Sequence, residues 1–276
     1  MGKVKLTERD IASMIDHSVL LPNLTRQEAI ESIKTGAKYS TASVCVRPCD
    51  VAFAKDILDK ESTISPPVAV CTVIGFPHGS ATTASKCFEA QNALESGATE
   101  LDMVLNIGRL RSNTTEDDNY VLQDITEVVK VARKYTENHP NHPKIIVKVI
   151  MENAYLNEEQ KIKACKFIEQ GGADYTKTST GFATSGSTIP DLQLMRANTS
   201  AHVQVKAAGG IRTLDALLAA KAVGATRIGA TATVAIIEEF RKRCDPDTKE
   251  YEVDMDNYSS SSSNNGSTSG ATTNTY

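Results

Sequence analysis

The chain has 276 residues, of which 40% are apolar, 23% charged and 5% aromatic, with no Trp. Thirty Lys and Arg against 34 Asp and Glu give a formal net charge of -4, which argues against a nucleic-acid binder with its basic excess but not against a small anion held by local donors. No run approaches the ~18 apolar residues of a membrane span, and the opening MGKVKLTERD lacks the apolar stretch of a signal peptide, so a cytoplasmic location without membrane contact is expected.

Along the chain, short β-branched or apolar runs alternate with longer helical patterns. Strands are expected at residues 14–16, 43–46, 68–74, 100–105, 145–150, 174–178, 203–206 and 227–230. Helical stretches such as 25–34, 84–95, 116–135 and 158–169 lie between them. Strand followed by helix, repeated about eight times, predicts an α/β fold: a (β/α)8 TIM barrel in one domain, residues 1–244, with a short N-terminal helix. Periodicity alone leaves a doubly wound open sheet as the alternative. Gly-Ala recurs at Gly36-Ala37, Gly97-Ala98, Gly172-Ala173 and Gly224-Ala225, each after a helical pattern and before a strand, where a left-handed residue ends a helix. Residues 245–256 read as a charged connector. From 257 to 276 all but three residues are Ser, Thr, Asn or Gly, too polar to offset ordering entropy, and a disordered tail is expected. The six cysteines are scattered and read as reduced thiols, not as a disulfide framework. Among them, Cys45 is expected on a strand facing the barrel mouth, as a buried structural cysteine.

Charge where a core should be marks the chemistry. Lys148 sits inside the apolar run Lys144-Ile145-Ile146-Val147-Lys148-Val149-Ile150, Lys177 closes a strand, and Lys206 alternates with Val203 and Val205. The intervals Lys148 to Lys177 and Lys177 to Lys206 are both 29 residues, about one βα unit, so the three lysines are expected at matching positions on successive strands. In a barrel they converge at the C-terminal mouth, and Asp102 adds a carboxylate. A lysine must be neutral to attack a carbonyl, and a neighbouring ammonium favours that form; one of the three could form a Schiff base while a second stays charged. Gly209-Gly210-Ile211-Arg212 follows the seventh expected strand and Arg227-Ile228-Gly229-Ala230-Thr231 belongs to the eighth. Loops at these two places in a barrel bind phosphate through backbone N–H groups.

Together with Asp16-His17-Ser18, Thr72-Val73-Ile74-Gly75-Phe76-Pro77-His78-Gly79, Glu100-Leu101-Asp102-Met103-Val104 and Lys148-Val149-Ile150, these stretches make the chain resemble the deoxyribose-phosphate aldolases, class I Schiff-base aldolases with a (β/α)8 fold. Lys177-Thr178-Ser179-Thr180-Gly181-Phe182 and Lys206-Ala207-Ala208-Gly209-Gly210-Ile211-Arg212 are the most specific, and the motifs span about residues 14–232 in family order. The resemblance implies that Lys177 forms the Schiff base, Lys206 favours its neutral form, Asp102 relays protons and Lys148 orients substrate through a water-linked network. It also implies a substrate and phosphate site at Gly181, Gly209, Gly210, Gly229 and Thr231, with Asp16 and Ser18. Ser18 stands where Thr is common, and Ala232 where some members carry a second Ser, so a phosphate ligand is lost there.

The implied reaction is reversible cleavage of 2-deoxy-D-ribose 5-phosphate to D-glyceraldehyde 3-phosphate and acetaldehyde, without a dissociable cofactor; a homodimer is left open. Another Schiff-base aldolase, or a noncatalytic sugar-phosphate binder, is the competing reading. The five histidines suggest a metal site, but His139 and His142 lie in the proline-broken Asn138-His139-Pro140-Asn141-His142-Pro143 and the others lack ligand spacing, so no metal is expected. Tyr276 ends the tail, and a flexible chain of ~20 residues spans roughly 25 Å, enough to bring its phenol to a barrel mouth as a proton donor.

Overall fold

The computed structural model describes residues 2–259. Strand β1 (Lys3–Thr7) leads into the short helix Glu8–Ala12, for which Thr7 and Asp10 form a capping box. The next strands, in chain order, are β2 (Ile15–Val19), β3 (Ser43–Val46), β4 (Ala69–Ile74), β5 (Glu100–Val104), β6 (Ile146–Ile150), β7 (Tyr175–Lys177), β8 (Gln204–Ala208) and β9 (Arg227–Ala230). All pair in parallel with their neighbours, and β9 bonds back to β2, which closes the barrel and excludes the open sheet. Helices between the strands start where the sequence supplies an acceptor. Thr25, Thr82, Thr114, Asn157, Thr188 and Thr213 each accept a hydrogen bond from the backbone N–H three residues on. Among the described residues no helix is long and apolar enough to cross a membrane.

Three of the four Gly-Ala pairs end helices as expected, with Gly97, Gly172 and Gly224 at φ of 102°, 76° and 99°. Gly36-Ala37 does not. It lies within the helix Arg26–Lys38, and Ser40, at φ 49°, makes the left-handed turn instead. The apolar core fills the layer between strands and helices, whereas charged groups occupy much of the upper barrel interior.

The chain beyond Cys244 differs from its reading as a bare connector. Strand β10 (Glu250–Asp254) pairs antiparallel with β1, and Leu6, Val253 and Met255 are buried where the ribbon packs. Of the stretch expected to be disordered, residues 257–259 belong to the helix Asp256–Ser259. Residues 260–276, and with them Tyr276, lie outside the described residues.

Candidate active site

Alternation along each strand sends every second side chain into the barrel. From β2 these are Asp16 and Ser18; from β5, Glu100 and Asp102; from β6, Lys148; from β7, Lys177; from β8, Lys206. They meet around Asp102. Its Oδ1 accepts hydrogen bonds from Lys148 Nζ at 2.8 Å and Cys71 Sγ at 3.3 Å. Its Oδ2 accepts from Lys177 Nζ at 2.8 Å and Lys206 Nζ at 2.7 Å. Lys206 also donates to Asp16 Oδ2 at 2.5 Å, and Lys148 lies 2.6 Å from Glu100 Oε2 and 3.6 Å from Asp16 Oδ2. Beneath them Arg227 Nη1 donates to Asp16 Oδ1 at 2.6 Å and to Glu100 at 3.0 and 3.2 Å.

Within 4 Å, among the described residues, Lys177 therefore has one carboxylate partner, Lys206 two and Lys148 three. Burial penalises the ammonium of Lys206, but Asp102 and Asp16 outweigh it and hold the group charged well above the usual lysine range. The same balance, with Asp102 foremost among the anions, holds Lys148 charged. Burial pushes the carboxyl of Asp102 up, and the three lysines reverse this and keep it ionised far into acid. Asp16 is likewise desolvated yet kept ionised by Arg227 and Lys206. Four basic groups face three carboxylates in this cluster, so it becomes neutral when one lysine gives up a proton.

Lys177 and Lys206 form the floor of a cavity that also carries Asp16, Ser18, Cys45 and Thr180. Its far wall is backbone: Gly181, Gly209, Gly210 and Gly229, then Thr231, with the exposed Arg212 at the rim. Gly209 and Gly210 sit at φ 84° and 85°, in the left-handed region that favours glycine. At Gly229 the need is space, since a Cβ would stand 3.1 Å from Ala208 Cβ and 3.5 Å from Lys206 Cε. The strand β9 runs from Arg227 through Gly229 to the uncapped start of the helix Thr233–Arg243.

The three lysines, Asp102 and the residues of the expected substrate and phosphate site are brought together here. Asp102 and Lys148 lie beneath the cavity, and the others line it. One expectation needs correction. Lys177 and Lys206 are direct register partners, but Lys177 pairs with Ile150 and Lys148 with Tyr175. Lys148 thus lies one pleat deeper, opposite Asp102, because strand stagger around a barrel offsets positions that equal sequence intervals would align. Sequence reasoning missed Glu100, Arg227 and Cys71. Glu100 had a signal, lying two residues before Asp102 and so on the same strand face.

Cys45 and Cys71 are register partners on β3 and β4, both buried, and Cys45 lines the cavity. A hydrogen bond from Cys71 lowers the Cys45 thiol pKa, while burial raises that of Cys71. Their sulfurs and Asp102 lie within 4.8 Å of one another, but the lysines already engage Asp102 and repel a cation. His139 and His142 pack on Tyr135 at ring distances of 4.1 and 5.5 Å, far in the fold from the cavity.

A family model described as DeoC/LacD family aldolase matches residues 11–242. A deoxyribose-phosphate aldolase of a Thermoanaerobacter species is 46% identical over 233 residues, covering 84% of this chain and 98% of its own length. Another, from Thermococcus gammatolerans, is 47% identical over 232 residues, covering 84% and 97%. Among solved structures, the tetrameric deoxyribose phosphate aldolase of Aeropyrum pernix aligns with a TM-score of 0.74 at 29% identity, over 85% of this chain and 92% of that one.

Proposed function

The chain belongs to the DeoC/LacD aldolase family, and from that membership we propose that it is a lyase that reversibly cleaves 2-deoxy-D-ribose 5-phosphate to D-glyceraldehyde 3-phosphate and acetaldehyde through a lysine Schiff base. The observation that carries this reading is the unequal sharing of carboxylates among the three lysines. Lys206 and Lys148 are each held charged by two or more anions, whereas Lys177 has one carboxylate partner among the described residues. It also faces the cavity.

Neutral Lys177 Nζ adds to the C1 carbonyl of the open-chain sugar, and Asp102 Oδ2, which touches both Lys177 and Lys206, carries the proton given up by the attacking nitrogen to the C1 oxygen. The carbinolamine loses water to give an iminium. Deprotonation of the C3 hydroxyl breaks the C2–C3 bond, and the bonding pair flows into the iminium as an enamine while glyceraldehyde 3-phosphate departs. A proton then adds to C2, and water releases acetaldehyde and free Lys177. Lys148 orients Asp102 from below, and Asp16 anchors Lys206. The phosphate lies against Gly181, Gly209, Gly210, Gly229 and Thr231, where backbone N–H groups and the start of the helix Thr233–Arg243 offer positive potential.

Borohydride reduction in the presence of acetaldehyde, followed by peptide mass mapping, tests the assignment. The label is expected on Lys177. Lys177→Arg is expected to abolish both labelling and turnover, because a guanidinium stays charged and forms no imine. Label on Lys148 or Lys206 would overturn the role given to Lys177, and absence of glyceraldehyde 3-phosphate from the wild-type reaction would overturn the substrate.

A further inference from the structure

Three residues of β2 divide their side chains between the barrel and the layer outside it. Asp16 and Ser18 face the cavity, and His17, between them, points outward and is buried at 3% exposure. Its Nδ1 lies 2.8 Å from Thr233 Oγ1 and its Nε2 lies 3.0 Å from Ser32 Oγ on the helix Arg26–Lys38. A neutral imidazole has one donor and one acceptor nitrogen, and two hydroxyls that can each rotate satisfy both. Burial keeps the ring neutral by lowering its pKa from 6.5 to about 4.

Thr233 is the first residue of the helix Thr233–Arg243, and that helix has no side-chain cap because Ala232 occupies the N-cap. Most other helices between barrel strands hold their first turn with a Thr or Asn acceptor. Here a cap would compete with a ligand for the first N–H groups. The turn is fixed from behind instead, through the fully buried side chain of Thr233.

We infer that His17 is a positioning residue for the phosphate end of the site: through Thr233 it fixes the first turn of the helix Thr233–Arg243 against β2, the strand that also carries Asp16. This rests on the reading of that end as a phosphate site. His17 touches no substrate. It sets where the N–H groups after Thr231 point, and Ser32 fixes the other edge of the ring.

The experiment compares KM and kcat for deoxyribose 5-phosphate with those for unphosphorylated deoxyribose in Thr233→Val, Thr233→Ser, His17→Phe and the pair Thr233→Val with His17→Phe. Loss of one buried hydrogen bond is expected to raise KM for the phosphorylated sugar about fivefold in Thr233→Val, and to change KM for plain deoxyribose much less. Thr233→Ser should restore the wild-type KM. Adding His17→Phe to Thr233→Val should raise KM no further, since the His17–Thr233 contact is already broken. Equal losses on both sugars, no loss, or additive losses would overturn the inference, and Thr233→Val decides if His17→Phe does not fold. Wild type that fails to cleave deoxyribose 5-phosphate would instead overturn the substrate reading.

Discussion

Single side chains make the buried charge cluster costly to disturb. Lys206→Leu removes an ammonium shared by Asp16 Oδ2 and Asp102 Oδ2, both fully buried. Breaking a buried ion pair from one side costs about 3–5 kcal/mol, which urea unfolding should record. On the proposed mechanism the variant should also begin to act only at higher pH than wild type; an unmoved acidic limb of the pH–rate profile would contradict the role proposed for Lys206. His17 governs a different pH window. Its folded pKa, about 4, lies below the ordinary 6.5, so as pH falls the unfolded chain takes up the proton first and stability is lost between those values. At 1.4 kcal/mol per pH unit the loss is about 3 kcal/mol, and His17→Gln should flatten that part of the curve in urea midpoints measured from pH 7 to 4. Asp102 and Asp16, with depressed pKa values, add their own loss only as pH falls below the ordinary carboxylate value of 3.8. The sequence marks the three lysines and Asp102 because charge interrupts apolar strands there. His17 carries no such mark, since nothing local tells a strand histidine that its partners lie 15 and 216 residues away.

At the scale of elements, the loop after β8 and the start of the helix after β9 form the wall opposite the lysines. Gly210 stands at φ 85° with nothing within 4 Å of where a Cβ would project, so a side chain there meets open space but a disfavoured backbone. Left-handed strain of about 1–2 kcal/mol per non-glycine residue would turn the peptide and re-aim its N–H. Gly210→Val is therefore expected to raise KM for deoxyribose 5-phosphate far more than for deoxyribose, and equal effects would show that the loop does not hold phosphate. Gly186 is constrained differently: a Cβ there would lie 2.3 Å from Gly209 O, so Gly186→Val should disturb the whole loop and lower stability as well. The order of strands and helices is legible because each βα unit carries its own apolar run, cap and turn. Register between strands is not, because it depends on stagger around the closed sheet, and this is why Lys148 falls a pleat below Lys177 despite the equal intervals.

At the scale of the whole molecule, the two ends of the described chain are tied by a ribbon that the sequence hardly announces. Strands β1 and β10 pair Leu6 with Tyr251 and Val4 with Val253, residues from opposite ends of the chain whose short, charge-laced runs give no local sign of a partner. The helix that follows β10 packs beside the helix Leu214–Ala222, and Tyr258 Oη donates to Asp215 Oδ1 in its first turn at 2.8 Å. A boundary at residue 244 therefore cuts through folded structure. Deleting residues 245–276 would expose Leu6 and remove the buried Val253 and Met255, and at about 1.5–3 kcal/mol for each buried aliphatic side chain the expected cost is about 5 kcal/mol. That should lower the melting temperature by about 10–20 °C at 2–4 °C per kcal/mol. Deleting only residues 260–276, whose apolar content is Ala271 and Tyr276, is expected to leave the melting temperature where it is. Differential scanning calorimetry of the two truncations separates the cases, and equal melting temperatures would mean that the ribbon contributes nothing to the stability of the barrel.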